Sequence, residues 1–150
     1  MDVLINNAAV LLDKVNILEM PIPLLQQTID TNVYGVIEVI RHFIPMMGKG
    51  SRIINISSDL GSLTNMGTYA PAYSISKTML NAVTRQFAKV LANRGITVNS
   101  MHPGWVRTDM GGKAAPLALE EGAETAVWLA TEASNSLTGK FLYKKNEIEW

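Results

Sequence analysis

Apolar residues along this chain fall into short aliphatic runs separated by longer stretches that repeat every three or four positions. Residues 2–6 (Asp-Val-Leu-Ile-Asn) and 52–57 (Arg-Ile-Ile-Asn-Ile-Ser) are runs of strand length. Their β-branched, unalternating character is that of strands buried on both faces. Residues 10–24 contain Pro21 and Pro23 and read as loop with a helical turn. Residues 25–47 place Ile29, Val33, Val36, Ile37, Ile40 and Ile44 on one helical stripe, closed by Gly48-Lys49-Gly50. A second long helix over 70–93 carries Ala72, Ile75, Met79, Val83, Phe87, Val90 and Leu91 as its packing stripe and stops at Arg94-Gly95. Residues 96–101 suit an interior or near-edge strand. Leu119–Thr131 follows as a short helix and 138–143 as a last strand. The pattern predicts an α/β fold of about four strands with flanking helices.

Composition narrows the picture. A length of 150 residues fits one domain with a core of useful size. With 47% hydrophobic and 17% charged residues the chain reads as globular. Its formal net charge is zero and it has no basic run, which argues against nucleic acid or an anionic membrane as partner. Zero cysteines exclude disulfides and thiolate metal sites and suit a cytoplasmic setting. The first residues lack a basic region and a long apolar core, so no signal peptide is expected, and no apolar run reaches membrane-spanning length.

The chemistry concentrates between residues 51 and 77. Tyr73 and Lys77 stand four apart at the start of the second helix, so they share a face. A free phenol has a pKa of about 10, and an ammonium fixed nearby is expected to lower it toward a useful acid-base range. Ser58 follows an apolar strand, and ligands of open α/β sheets bind at the carboxyl ends of strands. Its hydroxyl could therefore support the oxygen of a reacting carbonyl. A Tyr and a Lys at this spacing also occur in helices that do no chemistry, so their company along the chain matters.

That company resembles the short-chain dehydrogenase/reductase family. The carrying residues are Asn6-Asn7-Ala8-Ala9 after the first strand, Asn32-Val33-Tyr34-Gly35, Ser58-Asp59-Leu60-Gly61, Tyr73-Ser-Ile-Ser-Lys77 and Pro103-Gly104 with Thr108. The resemblance implies a Rossmann-type doubly wound parallel sheet. It also implies a catalytic set of Asn32, Ser58, Tyr73 and Lys77. Tyr73 would be the general acid, Ser58 would stabilise the substrate oxygen, and Lys77 would tune Tyr73 and hold the nicotinamide ribose. Asn32 would hold a helix distortion and a relay water. For the cofactor it implies Asn7 on the adenosine side and Val106 and Thr108 at the carboxamide, with Tyr73 and Lys77 shared. Ala9 departs from the family's glycine, and the loop after Gly61 runs about two residues longer than in many members. Residues 120–123 and the Trp150 ending are similar to the carbonyl-reductase branch, which reduces aldehydes and ketones and usually takes NADPH, so NADP(H) is favoured over NAD(H). His42 and His102 have no paired acids or cysteines and are read as structural, with no metal site.

No Gly-x-x-x-Gly-x-Gly or Gly-x-Gly-x-x-Gly phosphate loop occurs in these residues. The sequence is accordingly expected to form the C-terminal catalytic part of one Rossmann domain, residues 1–150, in a truncated sheet. Residues 2–6 would then be an exposed edge. The resemblance implies a small carbonyl or alcohol as partner, and a homo-oligomer through the 25–47 and 70–93 helices is compatible with the family. The alternative is an inactive fragment acting as an association partner. Sugar-nucleotide epimerases and dehydratases share Tyr-x-x-x-Lys, but too little chain follows Thr108 for their substrate domain.

Overall fold

The computed structural model describes residues 1–150. Four strands lie side by side in chain order and run parallel: β1 (Val3–Asn6), β2 (Arg52–Ile56), β3 (Thr97–Met101) and β4 (Phe141–Tyr143). A two-residue strand, β5 (Asn146–Glu147), closes the sheet antiparallel to β4. The expected α/β class and Rossmann-type parallel sheet are therefore present, with five strands rather than about four.

Alternation along β2 sets the layers. Ile53 points into one core with Val36, Ile40, Leu80, Leu91 and Val98, while Ile54 points into the other with Met101, Ala126, Leu129 and Leu142. The first face is covered by α2 (Gly35–Phe43) and α3 (Pro71–Leu91), with α1 (Ile22–Ile29) packed against α3, and the second by α4 (Leu119–Thr131). Arg52 secures α4 by donating from Nη1 to the carbonyls of Leu129 and Ala133 at 2.9 and 2.7 Å.

Three expectations need correction. The first helix begins at Ile22, because Pro21 and Pro23 stand at its start, where a missing N–H costs nothing. The strand at residues 2–6 is not buried on both faces: Val3 and Leu4 are half-buried and Ile5 is 44% exposed, since β1 is an edge in this chain. The last strand is shorter than 138–143 and turns back through Lys144 and Lys145 at φ of 46° and 65°, which produces β5.

A buried polar ladder crosses the sheet and fixes α3 upon it. Asn6 Nδ2 donates to Asn55 Oδ1 at 2.8 Å, and Asn55 Nδ2 donates to Thr84 Oγ1 at 2.8 Å. Ser100 Oγ reaches the same Thr84 oxygen at 3.0 Å. Thr84 lies two helical turns beyond Lys77 on the same face of α3, so the ladder sets the depth at which that face meets β2.

Candidate active site

Ser58 follows the carboxyl end of β2, as its place after the apolar run predicts. It caps a short 3-10 turn, Asp59–Gly61, with Oγ accepting the Leu60 N–H at 3.2 Å. Its neighbour Ser57 is buried instead, its hydroxyl 3.4 Å from the Lys77 carbonyl. The turn packs directly on α3: a methyl added to Gly61 would stand 2.7 Å from Lys77 Cβ and 2.8 Å from its carbonyl carbon. The Ser-x-x-Gly spacing thus brings the serine against the helix that carries Tyr73 and Lys77.

Lys77 is 2% exposed and its Nζ donates to the Ile56 carbonyl at 2.7 Å, 5.4 Å from the centroid of the Tyr73 ring. No carboxylate pairs with it. Burial of this unpaired ammonium pulls its pKa from 10.5 down to about 8. Burial also pushes the Tyr73 phenol above its ordinary value, and the adjacent Ser58 hydroxyl acts in the lowering direction. The expectation that Lys77 pulls the phenol down is corrected here. Desolvation of Tyr73 dominates, and the ammonium is directed at a β2 carbonyl.

Asn32 lies in a π-helical turn, Asp30–Tyr34, between α1 and α2. Its amide clamps the loop after β1: Oδ1 accepts the Val10 N–H at 2.8 Å and Nδ2 donates to the Val10 carbonyl at 2.9 Å. Nδ2 also donates to Ser76 Oγ at 3.0 Å, and Ser76 donates to the Tyr73 carbonyl at 2.7 Å. Both Nδ2 hydrogens and one Oδ1 lone pair are thereby taken by protein groups.

Asn7 is exposed just past β1, next to the buried Asn6. Val106 bridges Leu117, while its own amide N–H makes no hydrogen bond within the chain. Thr108 Oγ1 accepts the Gly111 N–H at 3.0 Å, so its hydroxyl serves the turn that closes on Gly111. The structure thus gathers Asn32, Ser58, Tyr73 and Lys77 around the start of α3. Val106 and Thr108 stand on the loop after β3, and Asn7 stands beyond β1.

Sequence reading missed Ser76, which joins Asn32 to the Tyr73 turn, and Asp13, whose carboxylate meets the start of α3. Ser76 could have been noticed as the residue beside Lys77. Asp13 gave no signal beyond being an acid in an apolar loop.

Residues 1–144 match the family model described as enoyl-(acyl carrier protein) reductase. The chain belongs to the short-chain dehydrogenase/reductase family. It is 30% identical over 198 residues to carbonyl reductase [NADPH] 1 of Sus scrofa, which aligns with 100% of this chain and 67% of that relative. It is 32% identical over 160 residues to the C-signal of Myxococcus xanthus, covering 99% of this chain and 92% of that one. Among solved structures, the carbonyl reductase Sniffer of D. melanogaster superposes with a TM-score of 0.91 at 32% identity, over 99% of this chain and 66% of that one. The chain therefore spans about two thirds of the length of these carbonyl reductases. No helix is long and apolar enough to cross a membrane.

The family implies a nicotinamide dinucleotide. One buried group fits its ribose end: Lys77 makes a single hydrogen bond, leaving two N–H donors and an unpaired charge for a hydroxyl-rich neighbour. The unbonded Val106 N–H is a suitable donor for a carboxamide. The residues at hand fit the nicotinamide–ribose half.

Proposed function

We propose that the chain acts in NADP(H)-dependent reduction of aldehyde or ketone carbonyls to alcohols, with Tyr73 as the proton donor. The observation that carries this reading is the unpaired, buried Lys77 on the same helical face as Tyr73, one turn away, with Ser58 beside the phenol. The bound cofactor's chemistry is hydride donation to a carbonyl carbon. Tyr73, whose phenol burial pushes above its ordinary value, donates its proton to the carbonyl oxygen as negative charge develops there. Ser58 Oγ already accepts from Leu60 N–H, so its own hydrogen is available to the same oxygen. Lys77 holds the ribose hydroxyls, with Val106 N–H and the Thr108 turn at the carboxamide and Asn7 toward the adenosine. Asn32 has one side-chain lone pair left, so a relay water ordered there is held by that lone pair or by the main chain of the π turn.

Preference for NADP(H) rests on the [NADPH] in the name of the Sus scrofa relative. We read residues 1–150 as the catalytic part of one Rossmann domain and as cytoplasmic, in keeping with the absence of cysteine. Self-association through the 25–47 and 70–93 helices is supported by exposed Tyr34, Val39 and Val90.

The test is titration of the 150-residue chain with NADPH, followed by tryptophan fluorescence. Trp105 is exposed beside Val106 and donates to the Gly111 carbonyl at 2.8 Å, so ligand at that loop should report. Saturation in the micromolar range, oxidation of NADPH with an aldehyde panel, and loss of turnover in Tyr73→Phe are expected. Full activity of Tyr73→Phe would sink the assigned role.

A second reading has a specific observation behind it. The chain aligns with 92% of a relative named C-signal, whereas it spans about two thirds of the carbonyl reductases. An association role would use the β1 edge and the apolar stripe of α3. Saturable binding to a full-length carbonyl reductase, without an NADPH response from the folded chain, would favour it.

A further inference from the structure

Asp13 is a carboxylate hidden from solvent, 1% exposed, in the loop after β1, and none of the chain's ion pairs includes it. A buried carboxyl group in such a place needs hydrogen-bond partners. It finds two at the start of α3, 59 and 60 residues along the chain. Oδ2 accepts the Ala72 N–H at 2.7 Å and Oδ1 accepts the Tyr73 N–H at 3.4 Å.

The helix has no local means of serving those amides. Ala70 stands at the N-cap with no side-chain oxygen and a left-handed φ of 48°, and Pro71 has no N–H. The first free donors of a helix normally go to an N-cap side chain, and the positive end of its dipole favours an anion. Here a distant residue supplies the missing acceptor, and its own loop is tied at Val10 to Asn32. Asp13 therefore lies on a strut that runs from the residues after Asn7 to the turn holding Tyr73.

We propose that Asp13 is a positioning residue for Tyr73, its carboxylate coupling the loop after β1 to the first turn of α3 so that the phenol is placed only while that loop is seated. The inference rests on the reading of Tyr73 as proton donor only for its consequence in turnover; the placement itself is testable without catalysis.

Amide exchange by NMR on Asp13→Ala and Asp13→Asn is the experiment. Ala72 and Tyr73 should exchange roughly tenfold faster in Asp13→Ala, with Leu80 and Ala88 unchanged. Asp13→Asn should fall between, because an amide oxygen can accept from one donor while its NH2 faces the other. The ultraviolet titration of Tyr73, taken as the difference from Tyr73→Phe, should move toward that of a free tyrosine as the turn loosens, with Ser58 and Lys77 still facing the ring. With NADPH and an aldehyde, kcat should fall while KM for NADPH holds. Unchanged exchange and titration in Asp13→Ala would overturn the proposal. So would acceleration spread evenly along α3, or failure of both variants to fold, since either would mark a general structural role. A wild-type chain without turnover would count against the proposed function, while exchange and titration would still decide the placement.

Discussion

Replacing Gly61 by alanine tests the packing that brings Ser58 to Tyr73. Its backbone does not demand glycine through a left-handed φ, so the substitution adds a methyl and little else. That methyl would meet Lys77 Cβ at 2.7 Å, Lys77 C at 2.8 Å and Thr78 N at 3.0 Å. Two of these are main-chain atoms of α3 and cannot swing aside. Carbon atoms rest about 3.5–4.0 Å apart, so the 3-10 turn must retreat by roughly 1 Å. The retreat also strains the bonds that the Gly61 carbonyl accepts from Thr78 Oγ1 at 2.9 Å and Asn81 Nδ2 at 3.4 Å.

Overpacking of this kind costs about 1–3 kcal/mol. At about 2.1 cal/mol/K per residue, 150 residues give an unfolding entropy of about 0.3 kcal/mol/K. The expected fall in Tm is then roughly 3–10 °C. Thermal unfolding followed by circular dichroism measures it. Gly67→Ala is the control, because nothing lies within 4 Å of its added Cβ in the same loop. Turnover should fall with Gly61→Ala as Ser58 is lifted from the phenol. A Tm matching the Gly67→Ala control would refute the claimed contact between turn and helix.

Lys77→Met should change how stability depends on pH. The folded pKa of Lys77 is lowered from 10.5 to about 8, so between those values the unfolded chain binds more protons and wild-type stability rises with pH. The full shift corresponds to on the order of 3 kcal/mol. Tyr73 is raised and opposes the rise above pH 10, so urea unfolding between pH 8 and 10 is the useful comparison, and equal slopes in both proteins would contradict the burial of the ammonium. Asn32→Ala leaves the Val10 N–H and carbonyl without their clamp and should cost about 2–4 kcal/mol in urea unfolding; a loss no larger than that of an exposed substitution would mean the clamp holds nothing. Trp150 stacks on Phe141 at 5.6 Å and lies 5.5 Å from the Arg85 guanidinium, while its carbonyl accepts from Leu63 and Thr64. Trp150→Ala should therefore speed proteolysis of the loop around residues 62–69 and lower Tm by about 3–6 °C, and an unchanged cleavage rate would detach Trp150 from that loop.

What the sequence disclosed depended on the range of the force involved. The limits of α4 coincide with the spacing-based reading of Leu119–Thr131, because an amphipathic stripe is a local property. The alternation of Ile53 and Ile54 between two cores follows from strand geometry alone. The β5 hairpin was hidden because Lys144 and Lys145 occupy positive-φ positions that Gly or Asn would normally announce. The π turn left only the weak helix formers Asn32 and Gly35 as a trace. Residue types and spacing named Ser58, Tyr73 and Lys77, but the direction of the phenol's shift is a matter of desolvation, which depends on every atom packed around it. Asp13 lies further still from local rules. Its partners are main-chain amides 59 and 60 residues away, and backbone donors carry no residue identity for a pattern to match. The side chains that could perform chemistry were therefore legible from their types, whereas those that hold them in place became visible only once the chain was folded.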